Sequence, residues 1–87
     1  MWNLLLNHHG RWKLAKALRE KGFYVRMHAY EYLVGDGRKL LAIVLLEPRL
    51  NKAYLYALDE NIERIADTIK SIEPSVKIMI RRVCIEP

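Results

Sequence analysis

Neutral polar side chains are scarce in this sequence of 87 residues. It contains no glutamine, one threonine (Thr68) and two serines (Ser71 and Ser75). With so few hydroxyl groups and no motif around them, a Ser-His-Asp hydrolase site has no support. Few thermolabile amides beside many charged residues are typical of hyperthermophile proteins, and we expect a source such as a heat-loving archaeon.

Cysteine is also scarce, and long apolar segments are absent. The single Cys84 has no partner for a disulfide within the chain, which suits a reducing compartment. No apolar run reaches the roughly 18 residues that a membrane span requires. The opening segment MWNLLLNHHG lacks the basic start of a secretory signal. We therefore expect a cytoplasmic protein without a membrane partner.

Other common sites lack the residues they need. Adjacent His8 and His9 do not converge on one metal from a helix, and His28 and Cys84 are too few to complete a zinc site. The GDG segment at residues 35–37 is too short for a phosphate-binding glycine loop. We expect no metal and no cofactor.

The length leaves room for one domain, residues 1–87. Hydrophobic residues make up 52% of the chain, which is enough for a core. The stability of so small a domain is modest unless it packs well or oligomerises.

The net charge of +5 is unevenly distributed along the chain. Residues 1–40 contain eight lysines and arginines against three acidic residues, whereas residues 41–87 contain seven of each sign. A phosphate backbone is the common partner of such an asymmetry. We therefore expect a nucleic-acid partner, DNA in preference to RNA. The alternative is that the charge serves solubility alone.

Periodicity and turn residues predict the element order αβββαβ. The first helix runs from about residue 8 to residue 21, capped by Asn7 and ended by Gly22, where Phe23 can pack back on Leu18. The remaining elements are predicted as strands at residues 23–34, 38–47 and 52–58 with a GDG hairpin at 35–37, a helix at 60–72 behind the N-cap Asp59, and a strand at 76–85. The expected fold class is α/β, with a four-stranded mixed sheet packed with two helices.

The apolar run LLAIVLL at residues 40–46 predicts a strand that is buried on both faces. The preceding strand alternates, which places aromatic and cationic side chains on one face: Tyr24, Arg26, His28, Tyr30 and Tyr32. Such a row resembles the platforms on which single-stranded nucleic acids stack. The alternative is ordinary cross-strand packing beneath a helix.

The first helix offers a second aromatic and cationic surface. Trp12, Lys16 and Arg19 share one side of the helix, with Lys13 nearby. Trp12 could stack on a base while the cations hold phosphates. The alternative is that Trp12 packs under Trp2 and the leucines at residues 4–6.

The order of elements resembles the restriction-endonuclease-like, or PD-(D/E)XK, nucleases, and most closely the archaeal Holliday junction resolvases. The segments LREKGFYV and YEYLVGDGRKLLAIVLLE, followed by the helix from Asp59, can be laid onto their plan of basic helix, KGF-like turn, strand, hairpin and strand. The resemblance covers about residues 11–85. The domains of tRNA-splicing endonucleases share this order.

The catalytic residues of that family are only partly matched. In the family, an acid on one strand and an acid with a lysine on the next hold a divalent metal that activates water. Glu31 stands at the first acid, whereas Val44 and Leu46 stand at the second acid and the lysine. Apolar side chains cannot hold a cation, so the resemblance implies a nuclease scaffold without its metal site.

A second register gives the literal spacing of the motif with Asp36, Glu47 and Arg49. Asp36 and Glu47 bracket one extended strand, so eleven steps of about 3.3 Å would separate them by roughly 35 Å. They cannot share a metal in that arrangement.

The sequence therefore predicts a non-catalytic nucleic-acid-binding domain on a nuclease-like scaffold. The expected phosphate contacts are Arg11, Lys13, Lys16, Arg19 and Lys21. The expected stacking residues are Trp12, Tyr24, Tyr30 and Tyr32, and the residues that would extend the track are Arg26, Arg38 and Lys39, with Arg81 and Arg82 as further candidates.

Two alternatives stay open. The first is a metal-dependent nuclease that uses Glu31. The second is a protein-interaction subunit or homodimer that pairs through a sheet edge, with Val83, Ile85 and the short third strand as the candidate edge.

Overall fold

The computed structural model describes residues 4–60 and 62–83, and it contains two helices and a five-stranded mixed sheet. The elements are a 3-10 helix at Leu4–Leu6, α1 at His8–Glu20, β1 at Tyr24–His28, β2 at Glu31–Gly35, β3 at Leu40–Glu47, a 3-10 helix at Pro48–Leu50, β4 at Lys52–Ala57, α2 at Ile62–Ile72 and β5 at Lys77–Arg82. The predicted α/β class is confirmed. Within these residues, neither helix is long and apolar enough to cross a membrane.

Both ends of α1 form as the sequence predicts. The Asn7 side chain accepts a hydrogen bond from the backbone N–H of Gly10 at 2.7 Å, which caps the first turn. At the other end Gly22 has φ of 97°. The Phe23 N–H donates to the Leu18 carbonyl at 3.2 Å, which closes a Schellman motif.

The segment predicted as one strand over residues 23–34 is two strands joined by a tight turn. Antiparallel pairing places His28 opposite Glu31, so only Ala29 and Tyr30 connect β1 to β2. Ala29 adopts the left-handed backbone conformation, with φ of 53°. Hairpin turns of this length favour glycine or asparagine, and the sequence has neither here. The prediction of four strands is therefore wrong by one.

This turn also changes which side chains share a face. Tyr32 pairs with Met27 and lies on the core face, whereas Leu33 pairs with Arg26 on the opposite face. The predicted single row from Tyr24 to Tyr32 is therefore wrong after the turn. Tyr32 is fully buried and does not belong to an exposed aromatic row.

The strands lie side by side in their sequence order, β1 to β5. All neighbours are antiparallel except β4 and β5, which are parallel and are joined through α2. The predicted third strand, now β4, is interior and is not an edge as expected, because β3 and β5 pair with its two sides. The edges are β1 and β5. Val83 follows β5, and Ile85, Cys84 and Trp2 lie outside the described residues.

The core lies between one face of the sheet and both helices. Buried side chains on that face come from every strand from β1 to β4, and those of the helices pack against them: Val25, Tyr32, Val34, Ala42, Val44, Leu46, Ala53, Leu55 and Ala57 from the sheet, and Leu14, Ala15, Leu18, Ile62, Ile65 and Ile69 from the helices. Within the described chain, no helix covers the other face. The prediction that β3 is buried on both faces is therefore wrong, because Ile43 and Leu45 are only half-buried.

Tyr32 joins the sheet to α1. Its ring is fully buried, and its hydroxyl donates a hydrogen bond to the Arg11 carbonyl at 2.8 Å. Burial raises the pKa of the Tyr32 phenol well above its ordinary value of 10.0. The folded chain therefore keeps this side chain neutral at every pH below 10.0.

We predict that Tyr32→Phe lowers the free energy of unfolding by about 1 kcal/mol at neutral pH, because one buried hydrogen bond is lost. The unfolded phenol ionises as the pH rises through 10.0, while the folded phenol, whose pKa is raised, ionises only at higher pH. The contribution of Tyr32 is therefore complete below that pH and is lost as the pH rises above it.

Urea unfolding at several pH values measures both effects. The original chain is expected to lose stability above pH 10.0 more steeply than Tyr32→Phe. Tyr24→Phe, at an exposed position, is the control and should match the original chain. Equal pH slopes for the original chain and Tyr32→Phe would contradict this account of the buried phenol.

Candidate nucleic-acid interface

The uncovered face of the sheet carries a continuous row of side chains with an arginine at each end. The register pairs Arg26 with Leu33, Leu33 with Ile43, Ile43 with Tyr56, and Tyr56 with Arg81. Directly paired residues project from the same face of a sheet. We call these five residues the arginine row. At about 4.8 Å per strand, its two arginines stand roughly 19 Å apart along the sheet.

A second row runs beside the first on the same face. It consists, in strand order, of His28, Glu31, Leu45, Tyr54 and Met79. The centre of the open face is therefore apolar and aromatic. Leu33 is 41% exposed and Met79 is 38% exposed.

A cavity of about 450 Å³ opens on this face where β2 and β3 meet their connecting loop. We call it the hairpin groove. Its lining residues are Tyr24, Arg26, Leu33, Gly35, Gly37, Arg38, Lys39 and Leu40. Four of the predicted contact residues, namely Tyr24, Arg26, Arg38 and Lys39, are therefore brought together in one concave site.

The hairpin that borders this groove has a fixed local structure. The Asp36 carboxylate accepts hydrogen bonds from the backbone N–H groups of Arg38 at 2.8 Å and Lys39 at 3.0 Å. Both hydrogen bonds lower the pKa of Asp36, and the bond from Lys39 has the larger effect. A Cβ on Gly35 would lie 2.6 Å from the Lys39 carbonyl oxygen, so this position needs glycine. Gly37 has φ of 91°, which also favours glycine.

The cations of the groove differ in their partners. The Lys39 ammonium lies 2.9 Å from the Asp59 carboxylate, and this hydrogen-bonded pair raises the pKa of Lys39. Among residues 4–60 and 62–83, the side chains of Arg26 and Arg38 form no ion pair. Their guanidinium groups are therefore the groove's two cations without a carboxylate partner in that part of the chain.

The predicted phosphate contacts on α1 divide into two kinds. Arg11 donates to the carbonyls of Leu5 and Leu6 at 3.0 and 2.9 Å, and Arg19 donates to the Val25 carbonyl of edge strand β1 at 2.9 Å. These hydrogen bonds connect α1 to the 3-10 helix before it and to β1. Lys13, Lys16 and Lys21 are exposed.

The predicted stacking residues also have partners of their own. The Arg11 guanidinium lies 4.3 Å from the centre of the Tyr30 ring, so that ring is partly covered. Trp12 is 44% exposed, with His9 stacked at 6.2 Å between ring centres and the Lys16 ammonium at 5.5 Å. Trp12 is therefore a surface residue, and Trp2, its suggested cover, lies outside the described chain.

The helix surface and the sheet surface do not form one patch. Both helices pack on the core face of the sheet, while Tyr24 and Arg26 project from the opposite face. Trp12, Lys13 and Lys16 are therefore separated from Tyr24 and Arg26 by the thickness of the sheet and helix layers. A short ligand can contact one surface or the other.

The positions aligned with the nuclease motif do not converge. Val44 and Leu46 lie buried on the core face, whereas Glu31 pairs with Leu45 on the open face. Asp36 precedes β3 and Glu47 is its last residue, so these two acids stand at opposite ends of the strand. In the described part of the chain, no three His, Cys, Asp or Glu side chains come together as a metal site.

Comparison with known protein families, with curated proteins and with solved structures finds no match to this chain. The resemblance to PD-(D/E)XK nucleases therefore stays a prediction. The candidate interface rests on the geometry of this chain alone.

Sequence reasoning missed the central residues of the open face. Ile43 was assigned to a strand buried on both sides, and Tyr54 and Tyr56 were not singled out. A signal for the tyrosines was present, because they alternate with Ala53 and Leu55 along β4 and so must share one face. What the alternation cannot show is which face the helices cover.

We predict that Asp36→Ala loosens the hairpin groove and that Asp36→Asn preserves it, because the asparagine side chain keeps an oxygen that can accept from the same two N–H groups. Amide hydrogen exchange at Arg38 and Lys39 is the readout. Exchange should quicken in the alanine variant and stay slow in the asparagine variant.

The original chain, measured at several pH values, provides a control for this prediction. Because folding lowers the pKa of Asp36, its carboxylate accepts both hydrogen bonds fully above pH 3.8. These hydrogen bonds are lost as the pH falls through the lowered pKa of the folded chain. An alanine variant whose Arg38 and Lys39 amides exchange as slowly as those of the original chain would show that the carboxylate does not hold the loop.

Proposed function

We propose that this chain binds single-stranded nucleic acid on the open face of its sheet, without cleaving it. The observation that carries the proposal is the placement of both helices on one face, which leaves the arginine row and the second row without a covering helix on the other. Exposed sheets that combine aromatic side chains with cations bind unpaired bases by stacking.

The side chains of the arginine row suit a nucleic-acid strand that lies along the row. Tyr56 offers a ring, and Leu33 and Ile43 offer apolar surface for bases and sugars. Arg26 and Arg81 stand at the two ends, where guanidinium groups can contact phosphates. The chain's excess positive charge strengthens this attraction at low salt.

The first helix has a smaller part in this proposal than the sequence indicated. Arg11 and Arg19 each donate hydrogen bonds to backbone carbonyls of their own chain, which orients these guanidinium groups toward the protein. Lys13 and Lys16 add to the long-range field of the molecule and lie on the other side from the row. They provide the control for the location of the strand.

The residues at the positions aligned with the nuclease motif support binding without cleavage. Val44 and Leu46 are apolar and are buried beneath the helices. A nucleic acid bound on the open face therefore does not contact them. Glu31 is the acid of that motif which reaches the open face, and its direct partner on β3 is Leu45. Among the described residues, no three His, Cys, Asp or Glu side chains gather at Glu31 to hold a metal that would orient water.

We predict that the double variant Arg26→Ala, Arg81→Ala weakens binding to single strands, while the matched pair Lys13→Ala, Lys16→Ala has a smaller effect. Both variants lose two positive charges, so their net charges are equal. Fluorescence anisotropy with labelled strands of about ten nucleotides, as DNA, RNA and duplex, measures the affinity between about 50 and about 200 mM salt.

The salt dependence distinguishes the two surfaces. Each lost phosphate contact should make the plot of log affinity against log salt less steep by about 0.7 for a single strand, so the arginine pair should change it by about 1.4. No detectable binding at low salt would remove the proposed function. A larger change from the lysine pair would move the interface to α1.

A second candidate function is self-association through the same face. Leu33, Leu40 and Met79 are exposed apolar side chains beside half-buried Ile43 and Leu45, and such a patch marks interaction sites. Here the sheets of two copies would meet face to face and not along an edge.

Light scattering over a range of protein concentrations tests this candidate. A dimer that Leu45→Glu converts to a monomer would support self-association, with Leu50→Glu, at an exposed position outside the face, as the control. A monomer at every concentration would remove it and leave the face free for a nucleic acid.

A further inference from the structure

We propose that the hairpin groove binds a single nucleotide through a terminal phosphate, either as a free mononucleotide or as the phosphorylated end of a strand. The part that concerns strand ends rests on the proposed function; the part that concerns a free nucleotide does not. The distinguishing feature is the meeting of cations and exposed apolar side chains in one concave site of about 450 Å³.

The charged side of the groove fits a phosphomonoester. Arg26 comes from edge strand β1, while Arg38 and Lys39 come from the hairpin, so three cations border one site from two elements. A terminal phosphate carries about 1.5 to 2 negative charges at neutral pH, whereas a phosphodiester carries one. Guanidinium forks pair with phosphate oxygens through parallel hydrogen bonds.

The apolar side of the groove indicates that the ligand is more than an anion. Tyr24 is 59% exposed, and Leu33 and Leu40 are 41% and 40% exposed. Inorganic phosphate would leave these three side chains in contact with water. A base over the Tyr24 ring and a sugar against the leucines would cover them.

The groove is held in shape before any ligand binds. Asp36 fixes the loop through two N–H groups, and the Lys39–Asp59 pair ties the loop to the segment before α2. Gly35 lies so close to the Lys39 carbonyl that the two ends of the loop meet with no room for a side chain. A fixed site loses less entropy when it binds its ligand.

The position of the loop favours binding of the end of a nucleic-acid strand in the groove over binding of its interior. Gly37, Arg38 and Lys39 form one side of the groove, in the loop between the end of β2 and the start of β3. The other side opens toward the arginine row, which begins at Arg26. A strand anchored by its end in the groove would therefore continue across the sheet.

The first experiment titrates the full chain with 5′-AMP and 5′-CMP by calorimetry, and with adenosine and inorganic phosphate as fragments of the same ligand. We expect both mononucleotides to bind, and each fragment to bind at least roughly tenfold more weakly, because each fills one half of the site. Arg38→Ala should abolish the advantage of the nucleotide, and Lys13→Ala, with the same charge change on α1, should keep it.

The second experiment compares otherwise identical single strands with a 5′-phosphate, a 3′-phosphate or hydroxyl ends. We expect one phosphorylated end to bind roughly five- to tenfold more tightly than the hydroxyl strand. Tyr24→Leu should reduce the affinity for the mononucleotide while it keeps the preference for the phosphate.

Failure of this inference can be told from failure of the proposed function. Strands that bind with no preference for a phosphorylated end, together with no mononucleotide binding, overturn the groove and leave the sheet interface standing. Mononucleotide binding without strand binding supports the groove and removes the proposed function. Inorganic phosphate that binds as tightly as the nucleotides overturns the nucleotide assignment, and the original chain supplies this result even if a variant misfolds.

Discussion

The register of the turn at Ala29 and Tyr30 determines which side chains the helices cover. With two residues in the turn, Tyr32 lies under α1 and Leu33 lies on the far side of the sheet. A shift of one residue would exchange every side chain of β2 between the two faces. The buried ring of Tyr32 and its hydrogen bond to the Arg11 carbonyl hold this register in place. Both helices pack on the face that carries Tyr32, which leaves the face that carries Leu33 open.

Two populations of arginine explain why a charge count does not locate the interface. Arg11, Arg19 and Arg64 donate to backbone carbonyls of the helix ends and the edge strand, and so contribute to the fold. Arg26 and Arg38 line an open concave surface and have no carboxylate partner among the described residues. The sequence showed an excess of cations in its first half, but only the fold separates those that bind the chain itself from those available to a ligand.

Local signals in the sequence were reliable where one residue determines the conformation. The Asn7 cap, the Gly22 ending and the GDG hairpin all form as predicted, because each needs a specific backbone geometry or side-chain acceptor. The turn at Ala29 was missed because alanine rarely adopts a positive φ. The exposed face of β3 was missed because an apolar run shows that both faces avoid water, but not whether this chain or a partner covers the second one.

Some residues of the candidate site were predictable from the sequence, and others depended on the fold. Tyr24, Arg26, Arg38 and Lys39 were identified from alternation and charge, and they meet in one groove. Tyr56 depended on the order of the strands, since it reaches the interface only because β4 lies beside β3. Long-range pairing of this kind is not encoded in any short segment.

The central claim is that nucleic acid lies on the open sheet face and not on α1. Amide-resolved NMR spectra of the chain, recorded as a single-stranded oligonucleotide is added at low salt, test it most directly. The account predicts shifts at Leu33, Ile43, Tyr56 and Arg81 and in the hairpin, with little change along α1. Shifts confined to the exposed side of α1, or no shifts at all, would contradict it.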